Sequence, residues 1–308
     1  MNCLIIDDMH DSITGMLREI GIQPDYRPTI QKEELLSIIG NYEGLIVRSK
    51  IFIGKEVIEK ATRLRFIGRA GAGLDNLDVA ELTKRNIALV NAPEGNRDAV
   101  AEQAVGMLLS LMNNVFRADK EVRNGIWDRE GNRGYELMGK TVGIIGYGCM
   151  GQATAKRLNS FGCKVIAYDK YRINYGDENA TTCSMEELRK EADILSLHIP
   201  LTDDSKFLID ESYLNSFSKS IWFINTARGE LVKISEIAKA LMSGKLKGAA
   251  LDVLENEKIN KLTSEQQEAF DYLKNSDKVL LTPHIAGWTF ESYRKINETL
   301  VAKIKQIL

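Results

Sequence analysis

The sequence predicts an α/β protein made of two doubly wound, parallel-sheet domains. Three observations point there. Short apolar, β-branched runs alternate with helix-patterned stretches along the whole chain. A long helical pattern without proline interrupts that alternation after residue 97, and the series that follows opens on a glycine-rich turn. With 308 residues the chain is long enough to bury two separate cores.

Before residue 98 the apolar runs are Cys3–Ile6, Leu45–Val47, Phe66–Ile67 and Ala88–Val90. Helical patterns lie around Ser12–Ile20, Lys32–Ile39, Lys55–Ala61 and Val79–Lys84. Repeated strand–helix order implies a parallel sheet covered on both faces. From Asp98 to about Arg123 the apolar residues recur at helical spacing, which predicts one long helix carrying the chain into a second domain. Thr141–Asp169 then reads strand, turn, helix, strand, and later strands are expected at Ile194–Leu197, Ile221–Ile224, Gly248–Leu251 and Val279–Leu281. The last helical pattern, roughly Phe290–Ile307, has no sheet of its own to follow. It is expected to return to the first domain, giving residues 1–97 plus 286–308 as one domain and 98–285 as the other.

The segment TVGIIGYGCMGQATAKRLNSFGCKVIAYD (Thr141–Asp169) carries the most specific chemistry. Gly146 permits a tight strand-to-helix turn, Gly148 lets backbone approach a pyrophosphate, and Gly151 lets helix pack closely on strand. The helix start offers unpaired N–H groups and its positive dipole end to phosphates. Asp169, about twenty residues on, suits the two hydroxyls of an adenosine ribose and repels a 2′-phosphate. Glycine-rich turns are common, but strand before, helix after and acid at this distance make a dinucleotide fingerprint, with NAD preferred over NADP. Lys164, Lys170 and Arg172 flank the region and suit a 2′-phosphate; Asp169 argues against it.

Composition fits a soluble enzyme: 44% apolar and 27% charged residues are ordinary for a globular chain. A net charge of −2 gives no reason to expect nucleic acid or an acidic membrane as partner. No apolar run has the length needed to span a bilayer, and MNCLIIDDMHDS is the reverse of a basic signal-peptide start, so cytoplasm is the expected compartment. Cys3, Cys149, Cys163 and Cys183 lack metal-ligand spacing; Cys3 and Cys163 read as buried free thiols, and no metal is expected. His10, beside Asp7, Asp8 and Asp11, reads as part of a solvated surface group.

Ligands of such sheets bind outside the carboxyl ends of the strands. Those positions hold Arg48-Ser49, Arg69–Gly73 and Asn91–Asn96 in the first series. In the second they hold Gly146–Gly151, Asp169, His198-Ile199-Pro200, Asn225–Gly229, Asp252–Glu257 and Thr282–Gly287. They supply the chemistry of alcohol oxidation by a nicotinamide. An imidazole removes the hydroxyl proton as hydride leaves, a carboxylate orients it, and an arginine pairs with a substrate carboxylate.

Three of these segments, INTARGELV (Ile224–Val232), LDVLENE (Leu251–Glu257) and LTPHIAGW (Leu281–Trp288), resemble in order and spacing the catalytic segments of the D-2-hydroxyacid dehydrogenases. GRAGAGLDNLDV (Gly68–Val79) and VNAPEGN (Val90–Asn96) are similar to that family's substrate-domain loops, so the resemblance covers essentially the whole chain. It implies a flavodoxin-like substrate domain and an NAD-binding Rossmann domain with a cleft between. It implies that Arg228 binds the substrate carboxylate and 2-oxygen, that His284 is the acid/base, and that Glu257 pairs with His284. Thr226, Ala227 and Asp252 would meet the cofactor's nicotinamide half, and Gly287 would also bind the cofactor. Cys149 and Met150 would line the pyrophosphate turn, with His198, Ile199 and Pro200 beside the adenosine. Arg48, Ser49, Arg69, Ala72 and Gly73 would form the substrate-domain wall.

The GRAGxGxDN form is most similar to the phosphoglycerate dehydrogenases. That implies oxidation of 3-phosphoglycerate to 3-phosphohydroxypyruvate, a step of serine biosynthesis, with Arg48 and Arg69, helped by Arg129 or Arg133, receiving the phosphate. Ile-Ala-Gly-Trp after His284 is closer to erythronate-4-phosphate dehydrogenase, and hydroxypyruvate or glyoxylate dehydrogenases are further alternatives. Glu257-Lys258 stands where the family has Glu-Pro, which leaves Glu255 as a rival partner for His284. An end at Leu308 leaves no room for the C-terminal regulatory domain of many phosphoglycerate dehydrogenases. The apolar helix residues Met107, Leu108, Leu111, Met112, Val115 and Phe116, with the excursion Gly125–Tyr135, fall where the resembled family forms its subunit interface, implying a homodimer. From another class, an NAD(H)-sensing binding protein would keep the same residues and oxidise hydroxyacids poorly.

Overall fold

The computed structural model describes residues 1–308. The chain divides into two compact units, Met1–Arg97 with Trp288–Leu308, and Asp98–Gly287.

In the first unit, β1 (Asn2–Ile5), β2 (Gln23–Tyr26), β3 (Gly44–Val47), β4 (Phe66–Arg69) and β5 (Ala88–Asn91) are all parallel, in the order β2-β1-β3-β4-β5. This is the flavodoxin-type order. Alternate side chains leave opposite faces of a strand, so β1 sends Leu4 to one core and Cys3 and Ile5 to the other. Leu4 joins Leu45, Val47 and Ile67 under helices that carry Leu35, Val57 and Leu82. On the other face Ile296, Leu300 and Ile304 of the C-terminal helix, Phe290–Ile307, pack with Ile13 and Leu17. The C-terminal helix therefore covers the first sheet.

Strand β2 has no counterpart among the sequence-derived runs. Its residues, Gln23-Pro24-Asp25-Tyr26, lack an apolar pattern, and an edge position is where a proline without an N–H is tolerated.

The second unit holds seven parallel strands: β6 (Thr141–Ile145), β7 (Lys164–Tyr168), β8 (Thr181–Thr182), β9 (Ile194–Leu197), β10 (Ile221–Asn225), β11 (Leu246–Leu251) and β12 (Val279–Leu281). Their order is β12-β11-β10-β9-β6-β7-β8. Strand order reverses between β6 and β9, the switch point where such sheets take ligands. Register aligns Ile145 with Leu197 there, and His198 N–H donates to the Ile145 carbonyl at 2.8 Å.

The single helix expected over Asp98–Arg123 is two helices, Pro93–Met112 and Val115–Arg123. Asn113 donates its side-chain amide to the Leu109 carbonyl at 3.1 Å, and Asn114 turns left-handed at φ +54°. Asparagine competes for backbone groups and accepts that conformation, so an Asn-Asn pair ends the helix where apolar spacing alone would continue it. The apolar face expected at a subunit interface also needs correction. Met107, Leu108, Leu111 and Met112 are buried inside the second unit against Val142, Ile144 and Ile224. Phe116 is half-buried; of the six residues only Val115 is exposed. Helical spacing identifies an apolar face but not what covers it.

Candidate active site

Three glycines shape the turn after β6, each for a different reason. Gly146 sits at φ +93°, and a Cβ there would stand 2.5 Å from the His198 carbonyl oxygen. At Gly151 a Cβ would meet the Gly146 carbonyl oxygen at 2.1 Å, so helix and turn approach too closely for any side chain. At Gly148 it would meet nothing within 4 Å; this glycine keeps open the space in front of the turn. The helix Cys149–Ser160 starts there without a side-chain cap, its positive dipole end at the turn, with Cys149 and Met150 half-buried in its first turn. Between the first two glycines, Tyr147 is fully buried and its hydroxyl donates to Asp177 at 2.7 Å.

Half-buried Asp169 accepts Tyr147 N–H at 2.8 Å on one oxygen, and Tyr171 and Arg172 N–H at 3.0 and 3.2 Å on the other. The neighbouring cations are engaged: Lys164 pairs with Glu191, Lys170 pairs with Asp204 at 2.9 Å, and Arg172 donates to the Tyr147 carbonyl. His198 shares a hydrogen bond with Ser196 through Nε2 at 2.9 Å, and burial pushes its imidazole down to about 4. It is neutral near pH 7, a poor proton carrier there. Ile199 Cγ2 stands 2.8 Å from where a Gly146 Cβ would be, and the Pro200 carbonyl accepts Ser205 Oγ at 2.8 Å.

At the end of β10, Asn225 is fully buried. Its side chain accepts Ala227 N–H at 3.0 Å and donates to the Arg228 carbonyl at 2.8 Å, folding Thr226–Arg228 into a corner. Gly229 follows, and a Cβ there would lie 2.0 Å from Leu254 backbone, so the turn after β10 is pressed against the turn after β11. Arg228 Nη1 donates to the Ala227 carbonyl at 2.6 Å. Thr226 is buried and its hydroxyl has no partner, an open polar position at the sheet's carboxyl end.

Asp252 follows β11 and is 1% exposed. Its carboxylate accepts Thr282 Oγ1 at 2.5 Å, Ile285 N–H at 2.9 Å and Ala286 N–H at 2.8 Å, while its carbonyl accepts His284 N–H at 2.8 Å. One carboxylate thus organises the segment after β12 and holds His284 at φ +56°, an uncommon region for histidine. His284 Nδ1 lies 2.8 Å from Glu257 Oε1. Glu255 instead accepts Ile234 N–H at 2.9 Å, at the start of the helix Ile234–Met242. The Glu257 hydrogen bond raises the His284 pKa above 6.5; partial desolvation and the charge of Arg228 oppose this, and the charges of Glu257 and Asp252 reinforce it. With Nδ1–H bound to the carboxylate, Nε2 is the nitrogen left to exchange a proton. Gly287 closes the second unit.

In the first unit Asp8 and Asp11 of the acidic N-terminal cluster are exposed, as expected of a surface group, while Asp7 is buried. Asp7 is 5% exposed and accepts the N–H groups of Arg48, Ser49 and Lys50 at 2.7, 3.2 and 3.0 Å. These donors start the loop after β3, and a carboxylate on the adjoining strand end satisfies all three. Asp8 accepts the hydroxyls of Tyr26 and Tyr293 at 3.0 and 2.9 Å, and His10 is half-buried, edge-on to the Tyr293 ring. The Arg48 guanidinium lies 3.7 Å from the Trp288 ring centroid and 5.4 Å from that of Tyr293. Arg69 folds over Gly71 and donates to the Ala70 carbonyl at 3.3 Å. The Ala72 carbonyl accepts Asn91 Nδ2 at 2.8 Å; Gly73 is half-buried and Ser49 is exposed.

Sequence reasoning passed over Asn225, Trp288, Tyr293 and the structural use of Asp7. Asn225 and Asp7 stand at strand ends and Trp288 closes the LTPHIAGW segment, which were the available signals; Tyr293 carried none.

Comparison with known proteins places the chain in a family. The profile described as "D-isomer specific 2-hydroxyacid dehydrogenase, NAD binding domain" matches residues 105–286. The chain belongs to that family, a class of NAD-dependent oxidoreductases acting on CH–OH donors, and its second unit is the NAD-binding domain. The D-3-phosphoglycerate dehydrogenase of Methanocaldococcus jannaschii is 36% identical over 311 residues, covering 99% of this chain and 57% of that protein. The chain thus spans little more than half the length of that relative. The hydroxypyruvate reductase of Thermotoga maritima is 36% identical over 275 residues, 89% of this chain and 88% of that one. A D-lactate dehydrogenase from Aquifex aeolicus, solved with NAD and lactic acid, has a TM-score of 0.83 at 26% identity, covering 99% of this chain and 94% of that one.

Proposed function

We propose that this chain interconverts a phosphorylated D-2-hydroxyacid and its 2-oxo acid with NAD, 3-phosphoglycerate and 3-phosphohydroxypyruvate being the first choice. The reading is carried by the His284–Glu257 pair at 2.8 Å on a loop held by buried Asp252. The residues present suit the cofactor. The open front of Gly148 and the uncapped helix start fit a pyrophosphate, Asp169 fits the ribose hydroxyls, and the unpartnered Thr226 hydroxyl fits the nicotinamide end. Bound NAD would supply hydride transfer to and from C2 of the substrate. In oxidation, neutral His284 Nε2 takes the C2 hydroxyl proton and Glu257 stabilises the imidazolium that forms. In reduction the imidazolium returns that proton. Arg228 binds the substrate carboxylate and polarises the C2 oxygen. Asp252 holds the His284 loop through its three accepted hydrogen bonds, as a positioning residue.

The phosphate is assigned to Arg48 with Arg69. No carboxylate forms a salt bridge with Arg48, whose guanidinium stacks on Trp288 at 3.7 Å. We further assign the protein to the cytoplasm as a homodimer. No helix is long and apolar enough to cross a membrane. Exposed Val115, Ile126, Trp127, Tyr135 and Met138 of the second unit suit a subunit contact. A single 34.5 kDa species in sedimentation at micromolar concentration would remove the dimer.

The deciding assay is NADH-dependent reduction of phosphohydroxypyruvate, hydroxypyruvate, pyruvate, glyoxylate and 2-oxo-3-hydroxy-4-phosphobutanoate. Higher kcat/KM with phosphohydroxypyruvate than with hydroxypyruvate supports the reading, and the reverse overturns the phosphate assignment. Tight NADH binding with no turnover of any of these acids would favour an NAD(H)-sensing protein.

A further inference from the structure

We infer that Trp288, Tyr293 and Asp8 form a mount that presents the Arg48 guanidinium to the phosphate of the substrate, which makes Trp288 a positioning residue for substrate recognition. The inference rests on the phosphorylated-substrate reading above and lies wholly within the first unit.

The Arg48 backbone is fixed by Asp7, which accepts its N–H at 2.7 Å. Its side chain is fixed from a different part of the chain. The indole of Trp288 covers one face of the guanidinium at 3.7 Å, and the Tyr293 ring stands 5.4 Å away. Tyr293 is itself held: its hydroxyl donates to Asp8 at 2.9 Å, and its ring meets the edge of His10 at 5.9 Å and the tilted ring of Trp288 at 5.2 Å. Tyr26 donates to the other Asp8 oxygen at 3.0 Å.

The two acids near Arg48 are thereby occupied, Asp7 by three backbone N–H groups and Asp8 by two tyrosine hydroxyls. Neither forms a salt bridge with the guanidinium. A planar guanidinium with its face stacked and its edge unclaimed by protein carboxylates is a fork set for a bidentate anion. Stacking on indole removes rotamers that a loop arginine otherwise samples, so less freedom is lost when the anion arrives. Plain packing does not account for the indole, because Trp288 is 51% exposed and belongs to neither core of its unit.

Trp288→Leu, Trp288→Phe and Tyr293→Phe test the mount in two ways. In NADH-dependent reduction, Trp288→Leu should raise KM for phosphohydroxypyruvate roughly tenfold, several times more than it raises KM for hydroxypyruvate, with Trp288→Phe largely restoring it. Independently of turnover, inorganic phosphate added to the NADH-saturated protein should raise Tm in wild type and much less in Trp288→Leu. Should Trp288→Leu fail to fold, Tyr293→Phe removes one hydroxyl and should move both readouts the same way by less. Equal KM changes for the two substrates, or equal phosphate stabilisation of wild type and variants, overturns the mount. A wild type that reduces no 2-oxo acid defeats the functional reading alone, since the Tm comparison still decides the mount.

Discussion

Asp7 in the first unit and Asp252 in the second stand in the same place relative to their sheets, just past the end of a strand, buried, each accepting three donors from a neighbouring loop. Asp7 holds the loop that presents Arg48, and Asp252 holds the loop that presents His284. The difference lies in what then tunes the presented side chain. Arg48 needs no help with its charge and is steadied by aromatic rings. His284 is given a second carboxylate, Glu257, whose hydrogen bond raises the imidazole pKa. Backbone placement is the shared task; electrostatic tuning is added at the residue proposed to move a proton.

Removing the presented groups should separate the two loops most sharply. His284→Ala is expected to lower kcat by about 10²–10⁴-fold with NADH binding retained, the usual range for losing a proton-transfer group. Arg48→Ala should act chiefly on KM for the phosphorylated acid. Steady-state kinetics with a separate NADH titration checks both, and a kcat within threefold of wild type for His284→Ala would show that another group moves the proton.

Cutting the holding carboxylates comes next. Asp252→Ala strands a buried N–H, a part-buried N–H and a hydroxyl, so about 3–5 kcal/mol of stability should be lost, together with kcat. Asp7→Ala should cost less, about 2–3 kcal/mol, because its donors lie nearer solvent, and its kinetic effect should follow Arg48 in falling on KM. Denaturant unfolding and kinetics of the two variants would break the parallel if both lowered kcat equally.

Asp169 is the half-buried relative of this pair, still holding backbone and proposed to meet the ribose. Asp169→Ala should weaken NAD binding roughly tenfold and narrow the preference over NADP, because ribose hydrogen bonds and repulsion of a 2′-phosphate are lost together. Equal kcat/KM for the two cofactors in wild type would defeat the argument.

Glu257→Gln is the mildest change. Glu257 raises the His284 pKa above 6.5, so oxidation, which needs neutral imidazole, should rise with pH through that raised value, and reduction should fall. The variant should move both profiles toward lower pH. By linkage, a raised folded-state pKa stabilises the fold below pH 6.5, and this contribution fades as pH climbs through the folded value. A profile moved by Glu255→Gln and not by Glu257→Gln would reassign the carboxylate.

Apolar runs located ten of the twelve strands, and the two that escaped, Gln23–Tyr26 and Thr181–Thr182, are short, polar edge strands that pack little. Period and punctuation suffice for strands and helices buried on a face, because burial itself imposes the pattern. The same rule misread Met107–Met112, whose pattern is the same whether a sheet of its own unit or another chain covers it. It also missed the break at Asn113-Asn114.

Local chemistry in the sequence determined the glycine turn, its following acid, and the residues set at the strand ends, since each answers a need met within a few positions. Glu257 over Glu255, the burial of Asp7, and the stacking of Arg48 on Trp288 were decided only by tertiary structure. These pairings join residues 27, 41 to 43 and 240 positions apart. Contacts at that separation are set by sheet order and by the return of the last helix, which no local spacing encodes.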